Sequence, residues 1–353
     1  MSLLEQASRF KLQGAPVHAA IHGSGLINVT SLVEDKTGKR YVMQKINSGV
    51  FKKPIAVMKN IVLALDRLKG AGLTLVPSLS GELWDVDPSG QVWRLYDYVP
   101  NSVCLQKPRT PNDMKACGKA FGEFLRSLDG IPLELIETTI ANFHDAPRYF
   151  SHLKEVAKKD PMGRASAVAK ELDFALSREE VAIRLSKMRD AGELPVRLVH
   201  NDAKLTNVLF DERTGDALCV IDLDTLMPGL AAHDYGEAIR YGANTAAEDE
   251  PDSSKAALSL EMAEACTEGF LKACGSMLNR AEAESLRYGA ITMTLENGVR
   301  FLADYLEGDI YYRIDREFHN LDRCRSQFGL AADMERHWDE MGAMVERYWE
   351  KRD

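Results

Sequence analysis

Residues 199–224 read VHNDAKLTNVLFDERTGDALCVIDLD, and the reading of the whole chain starts from them. Two short apolar runs, Val208–Phe210 and Ala217–Ile221, flank the cluster Asp211-Glu212-Arg213-Thr214-Gly215-Asp216, where a glycine can supply the positive φ of a tight turn. The pattern predicts a β-hairpin. His200, Asp202 and Asn207 lie just before the first run, and Asp222 and Asp224 lie at the end of the second. Any chemistry would therefore gather at the ends of this one hairpin. A carboxylate, an amide oxygen and a second carboxylate converging there are hard oxygen ligands of the kind Mg²⁺ prefers, with Asp202 left as a candidate base for a hydroxyl.

The surrounding chain has 353 residues, of which 45% are hydrophobic and 27% charged, enough for two lobes around a sizeable core. A formal net charge of -9 argues against a nucleic-acid partner, because that binding is driven by phosphate neutralisation. Cys104, Cys117, Cys219, Cys266, Cys274 and Cys324 show no C-x-x-C spacing, so reduced, buried thiols are expected rather than a zinc site or a disulfide framework. The opening segment MSLLEQASRFKLQG carries charges where a signal peptide needs an apolar stretch, and no later segment approaches ~18 consecutive apolar residues. A cytoplasmic protein without a membrane partner is the expectation.

Upstream of the hairpin, Val17–Leu32 reads as strand, turn and strand, with Gly23-Ser24-Gly25 and Asn28 forming a G-x-G-x-x-N loop. Such a loop is either an ordinary hairpin turn or a place where backbone amides approach phosphate oxygens. A strand over Arg40–Ile46 sends Gln44 and Lys45 to opposite faces, and Lys45 is favoured for the cleft by its charge. A helix is predicted over Ile55–Leu68, with Pro54 in its first turn and Val57, Ile61, Leu65 and Leu68 as its apolar stripe. Strands follow at Trp84–Val86 and Gln91–Tyr98. The lobe boundary is placed at Asp97–Asn101, giving an N-lobe over 1–98 and a C-lobe over 99–353, with Asp97 and Tyr98 at a connection that can meet an adenine edge.

Beyond Thr110 the periodicity turns helical. Helices are predicted from Pro111 to the stop at Gly130, near Tyr149–Ala157, and from a capping box at Ser177-x-x-Glu180 to about Arg189. Glu248–Asp252 reads as a surface loop, and amphipathic helices fill most of the remainder to Trp349. The fold class is α+β, with a β-rich N-lobe and a mostly helical C-lobe.

His200–Asn207 matches H-x-D-x-x-x-x-N, and Ile221-Asp222-Leu223-Asp224 stands where protein kinases have D-F-G. On these residues the chain resembles the aminoglycoside-phosphotransferase-like small-molecule kinases, which have a bilobal protein-kinase-like fold. Within that superfamily it is most similar to the N-acetylhexosamine 1-kinases, through HNDAKLTNVLFD, CVIDLDTLMPG, DYGEAIRYGANTAAEDE, FHDAPRYF and FLADYLEGDIYY. The resemblance implies ATP as phosphoryl donor, Mg²⁺ as cofactor and the anomeric hydroxyl of a hexosamine or related sugar as target. It implies Asp202 as catalytic base and Asn207 and Asp222 as metal ligands. Gly23, Ser24, Gly25, Lys45, Asp97 and Tyr98 would meet ATP, and Asp224, Arg300 and Tyr311 would join Asp202 around the acceptor.

Several alternatives stay open. Leu26 stands where hexosamine kinases of this type tend to carry a histidine facing the sugar. Aminoglycoside, choline-like and homoserine-like alcohols therefore remain possible acceptors, although a helix-borne Arg300 facing the site would disfavour cationic ones. Arg300 has a plainer reading as one rung of a surface ladder with Glu296 and Asp304, and Tyr311 as rim packing. His200 and Asp234 read as structural, and Glu237 and Arg240 as a pair on one helix. The predicted helix after Pro54 lacks the glutamate that pairs with a kinase lysine, which motivates a rival reading as a nucleotide-binding regulator without turnover.

Overall fold

The computed structural model describes residues 1–22, 27–68 and 72–352. The glycine loop Gly23-Ser24-Gly25 and Leu26 lie outside the described residues. In the N-lobe, a short helix α1 (Leu3–Ala7) precedes strands β1 (Pro16–Ile21), β2 (Val29–Asp35) and β3 (Arg40–Lys45). Helix α2 (Pro54–Arg67) and strands β4 (Asp85–Val86) and β5 (Val92–Asp97) complete it. The five strands form one antiparallel sheet in the order β1-β2-β3-β5-β4. Alternation along β3 sends Tyr41 and Met43 into a small core with Ala7, Phe10, Val33 and Leu95, closed on that side by α1.

The opposite face looks toward the second lobe, and α2 belongs as much to that lobe as to its own. Pro54 begins the helix at a position where no N–H partner is needed. Val57, Met58, Ile61 and Ala64 enter the same continuous core as Phe121, Phe124, Leu198 and Leu223 of the C-lobe. Asn60, which is buried, donates to the carbonyls of Glu137 and Leu226 and accepts from the Glu137 amide. Where a kinase helix would carry a glutamate aimed at a lysine, this helix carries an amide anchored to C-lobe backbone.

Strand β6 (Ser102–Cys104) leaves the N-lobe and pairs with the hairpin β8 (Val208–Asp211) and β9 (Ala217–Val220), as the opening stretch predicted. Strands β7 (Arg197–Val199) and β10 (Met227–Gly229) form a separate antiparallel pair on either side of residues 200–226. The helical body comprises α3 (Pro111–Leu128), α4 (Ala146–Lys159), α5 (Ala169–Leu176), α6 (Glu179–Ala182) and α7 (Arg184–Asp190), then α8 (Ala231–Gly242) and α9 (Leu260–Cys274). Helices α10 (Arg280–Glu307), α11 (His319–Arg336) and α12 (Trp338–Trp349) close it. Glycines set the tightest crossings: a Cβ on Gly118 would lie 2.2 Å from the Cys266 carbonyl of α9, and one on Gly289 would lie 2.0 Å from the Ala232 carbonyl of α8. Only hydrogen at these positions allows such approach.

One helix start fails. Ser177 does not cap a helix to Arg189; its hydroxyl donates back to the Phe174 carbonyl at 3.0 Å, ending α5. That local bond competes with capping, and the segment breaks into α6 and α7. Of the cysteines, Cys104 is exposed and the other five are buried, all of them free. No helix among the described residues is long and apolar enough to cross a membrane.

Candidate active site

The catalytic loop is shaped by backbone bonds before any functional side chain acts. Asp234, buried near the start of α8, accepts from the amides of His200 at 2.8 Å and Asn201 at 2.7 Å. His200 puts Nε2 2.9 Å from the Ile221 carbonyl and accepts the Asp202 amide on Nδ1 at 3.2 Å. Asn201 takes φ +63°, with its side-chain amide donating to Thr225 and Met227 carbonyls. His200 and Asp234 thus brace the loop, as their structural reading held.

Asp202 emerges from this scaffold between two donors. The Lys204 ammonium bridges both of its oxygens, at 3.0 and 2.9 Å, and Asn207 Nδ2 donates to Oδ2 at 2.9 Å. Burial raises the Asp202 carboxyl, but Lys204 and then His200 and Asn207 outweigh it and hold the group below its usual range. For Lys204 burial works downward, Asp202 works upward, and the ammonium ends above its usual value. Asp202 is therefore an ionised carboxylate fixed in direction. Lys204 was not singled out from the sequence, although it lies inside the matched motif; two positions along an irregular loop, nothing in the spacing fixes its direction.

The Ile221 amide donates to the Asn207 carbonyl at 2.9 Å, tying the end of the hairpin to the catalytic loop. Asp222 follows at φ +59°. Its carboxyl is raised to about 6, chiefly by burial and then by the neighbouring carboxylates Asp224 and Asp202, which Arg94 and Lys204 only partly offset. Clustered carboxylates of this kind favour a bound cation. Asn207 spends its Nδ2 on Asp202, which leaves its Oδ1 as an acceptor beside Asp222. Among the described residues no three His, Cys, Asp or Glu side chains form a ready metal cage. An amide and a carboxylate, completed by phosphate oxygens and water, is a donor set that fits Mg²⁺.

Asp224 is placed otherwise than a free sugar acceptor would be. One oxygen pairs with the buried Arg94 guanidinium of β5 and the other accepts from Asn28, just before β2. Arg94 Nε in turn donates at 2.9 Å to Gln44, which donates to Thr30 at 3.0 Å. Thr30, Gln44 and Arg94 are direct neighbours across β2, β3 and β5. The preference for Lys45 is thereby reversed: Gln44 faces the metal loop, and Lys45 lies on the opposite face over the Trp93 ring, 5.9 Å from its centroid. Strand alternation overrides charge here, and Arg94 is the N-lobe cation that reaches the site.

At the connection, the Asp97 and Tyr98 amides are already donated to the Thr74 and Arg40 carbonyls. The Asp97 carboxylate pairs with Lys39 at 2.8 Å, and Arg40 stacks on the Tyr98 ring at 4.0 Å.

Arg300 of α10 is not a surface rung. Glu296 is buried against His144, and Asp304 accepts the amides of Ile310, Tyr311 and Tyr312. The Arg300 guanidinium instead lies among the rings of Phe143, Tyr149 and Tyr312, at 6.0, 5.2 and 5.6 Å from their centroids. Burial opposes its charge, but these phenols and Glu296 raise it overall. Tyr311 stands edge-on to Tyr312 with its own ring exposed at the rim. Glu237 and Arg240 pair as expected, and Arg240 also reaches Glu248 and Gln327.

The fold is that of known phosphotransferases. An aminoglycoside phosphotransferase from Alicyclobacillus acidocaldarius superposes with a TM-score of 0.66 at 14% identity, covering 99% of this chain and 97% of the other. A microcompartment-associated aminopropanol kinase gives 0.68 at 17% identity over 97% and 98%. An ethanolamine kinase of Plasmodium vivax gives 0.57 at 18% over 88% and 82%. The family model described as "Phosphotransferase enzyme family" matches residues 18–266, from the first strand through the hairpin into α9. With residues 200–224 inside that span, the chain belongs to the phosphotransferase enzyme family.

Proposed function

We propose that this phosphotransferase moves the γ-phosphoryl group of ATP, as its Mg²⁺ complex, to a hydroxyl of a neutral polyhydroxylated small molecule, with the anomeric hydroxyl of an N-acetylated hexosamine or related neutral sugar as the leading acceptor. The observation that carries the reading is Asp202, an ionised carboxylate aimed by Lys204 and Asn207 beside an acidic metal loop. Asp202 orients the acceptor hydroxyl and takes its proton as the oxygen attacks the γ-phosphorus. The bond to the β–γ bridging oxygen breaks, and ADP leaves with that electron pair. Lys204, released from Asp202 by the incoming proton, can turn to the phosphoryl oxygens. Asn207 Oδ1 and Asp222 would hold Mg²⁺, which when bound offsets charge on the ATP phosphates.

Arg300 supports a neutral acceptor. Aminopropanol and ethanolamine, the substrates named for two proteins of this fold, are ammonium alcohols, and rings such as Phe143, Tyr149 and Tyr312 would suit a cation. Here the protein's own guanidinium already occupies those rings. An ammonium acceptor would meet like charge, whereas sugar hydroxyls can accept from Arg300.

ADP release over a panel of hexosamines, hexoses, aminoglycosides and amino alcohols tests this. Turnover with neutral sugars and none with ethanolamine or aminopropanol is expected; the reverse ranking refutes the acceptor class. Asp202→Asn should lower kcat by about 10³-fold or more while MgATP affinity, read by calorimetric titration, stays within a few-fold. Wild-type turnover in that variant would remove Asp202 from its role.

A further inference from the structure

The block FHDAPRYF, whose Phe143 and Tyr149 frame Arg300, also inserts His144 directly behind the candidate catalytic loop. His144 adopts φ +55° and is buried. Its Nδ1 lies 2.9 Å from Glu296 Oε1 and its Nε2 lies 2.8 Å from the Asn201 carbonyl oxygen. A carbonyl only accepts, so Nε2 carries a proton. An ionised carboxylate also only accepts, so the contact with Glu296 requires a second proton between the partners. Imidazolium beside carboxylate satisfies both bonds and leaves the buried pair neutral.

The groups around the ring agree. Glu296 comes from α10, and Asp234 and Glu237 face it from α8. Arg300, one turn beyond Glu296, is held off over the neighbouring Phe143 ring. His233 of α8, with its ring 5.0 Å away, is pushed well below its usual value by burial first and by His144 second, and so stays neutral. Burial opposes the His144 cation, but Glu296, the Asn201 carbonyl and Glu237 together raise the group above its ordinary value.

We infer that His144, protonated against Glu296, is a positioning residue for Asp202, fixing the peptide that joins Asn201 to the base and tying it to helix α10. That peptide is gripped at both ends by histidines: His144 donates to its carbonyl, and His200 Nδ1 accepts its amide. Loss of the second proton forces His144 to give up either Asn201 or Glu296. The stabilisation is complete below about 6.5 and disappears as pH rises through the raised value of the folded protein.

The inference rests on Asp202 being the base, but part of its test needs no acceptor. In ¹⁵N-histidine NMR at pH 7, the His144 signals, assigned by their absence in His144→Gln, should report two protonated ring nitrogens. Glu296→Gln should convert them to a neutral ring, because the amide can donate to Nδ1 while Nε2 still holds Asn201. In turnover, wild-type kcat should fall at alkaline pH, and Glu296→Gln should lose a few-fold of kcat at pH 7 and with it that alkaline fall. His144→Ala should lose about 10²-fold of kcat, with MgATP affinity retained as proof of folding. One protonated nitrogen in the wild type, an alkaline fall unchanged in Glu296→Gln, a wild-type kcat flat from about pH 6 to 10, or full kcat in His144→Ala would each overturn it. If no acceptor turns over, the acceptor reading fails, while the nitrogen spectrum still decides the proton.

Discussion

Lys204 shows how much of a site depends on direction rather than identity. Its ammonium sits on both oxygens of Asp202, so it fixes the carboxylate and offsets its charge at once. Lys204→Ala should leave Asp202 with Asn207 alone and lower kcat by about 10²-fold or more, with a smaller change in the KM for ATP, measured by steady-state ADP release. That Asp202, Asn207 and Asp222 would come together was legible, because they fall in one contiguous stretch whose hairpin geometry brings its ends together. Arg94 was not, because its partner Asp224 lies 130 residues further along the chain. Lys45 was misread because charge was weighed above the period of two in a strand, which assigns the inward position to Gln44.

Among the elements, α8 and α10 form the frame on which the catalytic loop hangs. Their contact depends on Gly236 and Gly289, whose hydrogens face the partner backbone. A methyl on Gly289 would have to displace the Ala232 carbonyl, so Gly289→Ala should destabilise the protein by about 1–3 kcal/mol, read as a lower urea midpoint. Activity should fall too, because α8 carries Asp234, the acceptor for two catalytic-loop amides. A capping box forms where the cap residue has no competing partner. Asn279 and Glu282 exchange bonds at 2.8 Å in both directions to open α10. At Ser177 the same kind of sequence signal failed, since the hydroxyl found the Phe174 carbonyl behind it.

In the molecule as a whole, the two lobes meet through polar groups that have left water. Arg94 and Asp224 are both almost completely buried, one from each lobe. Arg94→Met would leave Asp224 with Asn28 as its remaining N-lobe donor and should cost about 3–5 kcal/mol, seen as a lower calorimetric Tm. The missing helix glutamate was legible in the sequence as a gap, but its replacement was not. Asn60 looks like an ordinary polar residue until the fold presents it to the carbonyls of Glu137 and Leu226. That anchoring bears on how such enzymes can be recombined. After β5 the chain leaves the five-stranded sheet, yet α2, which precedes β5, keeps one whole face in the core built by the later helices. A chimera that imports a foreign five-stranded sheet together with its α2 would strip the helical body of its own packing, so a viable exchange has to leave α2 with the recipient and trade only the strands around it.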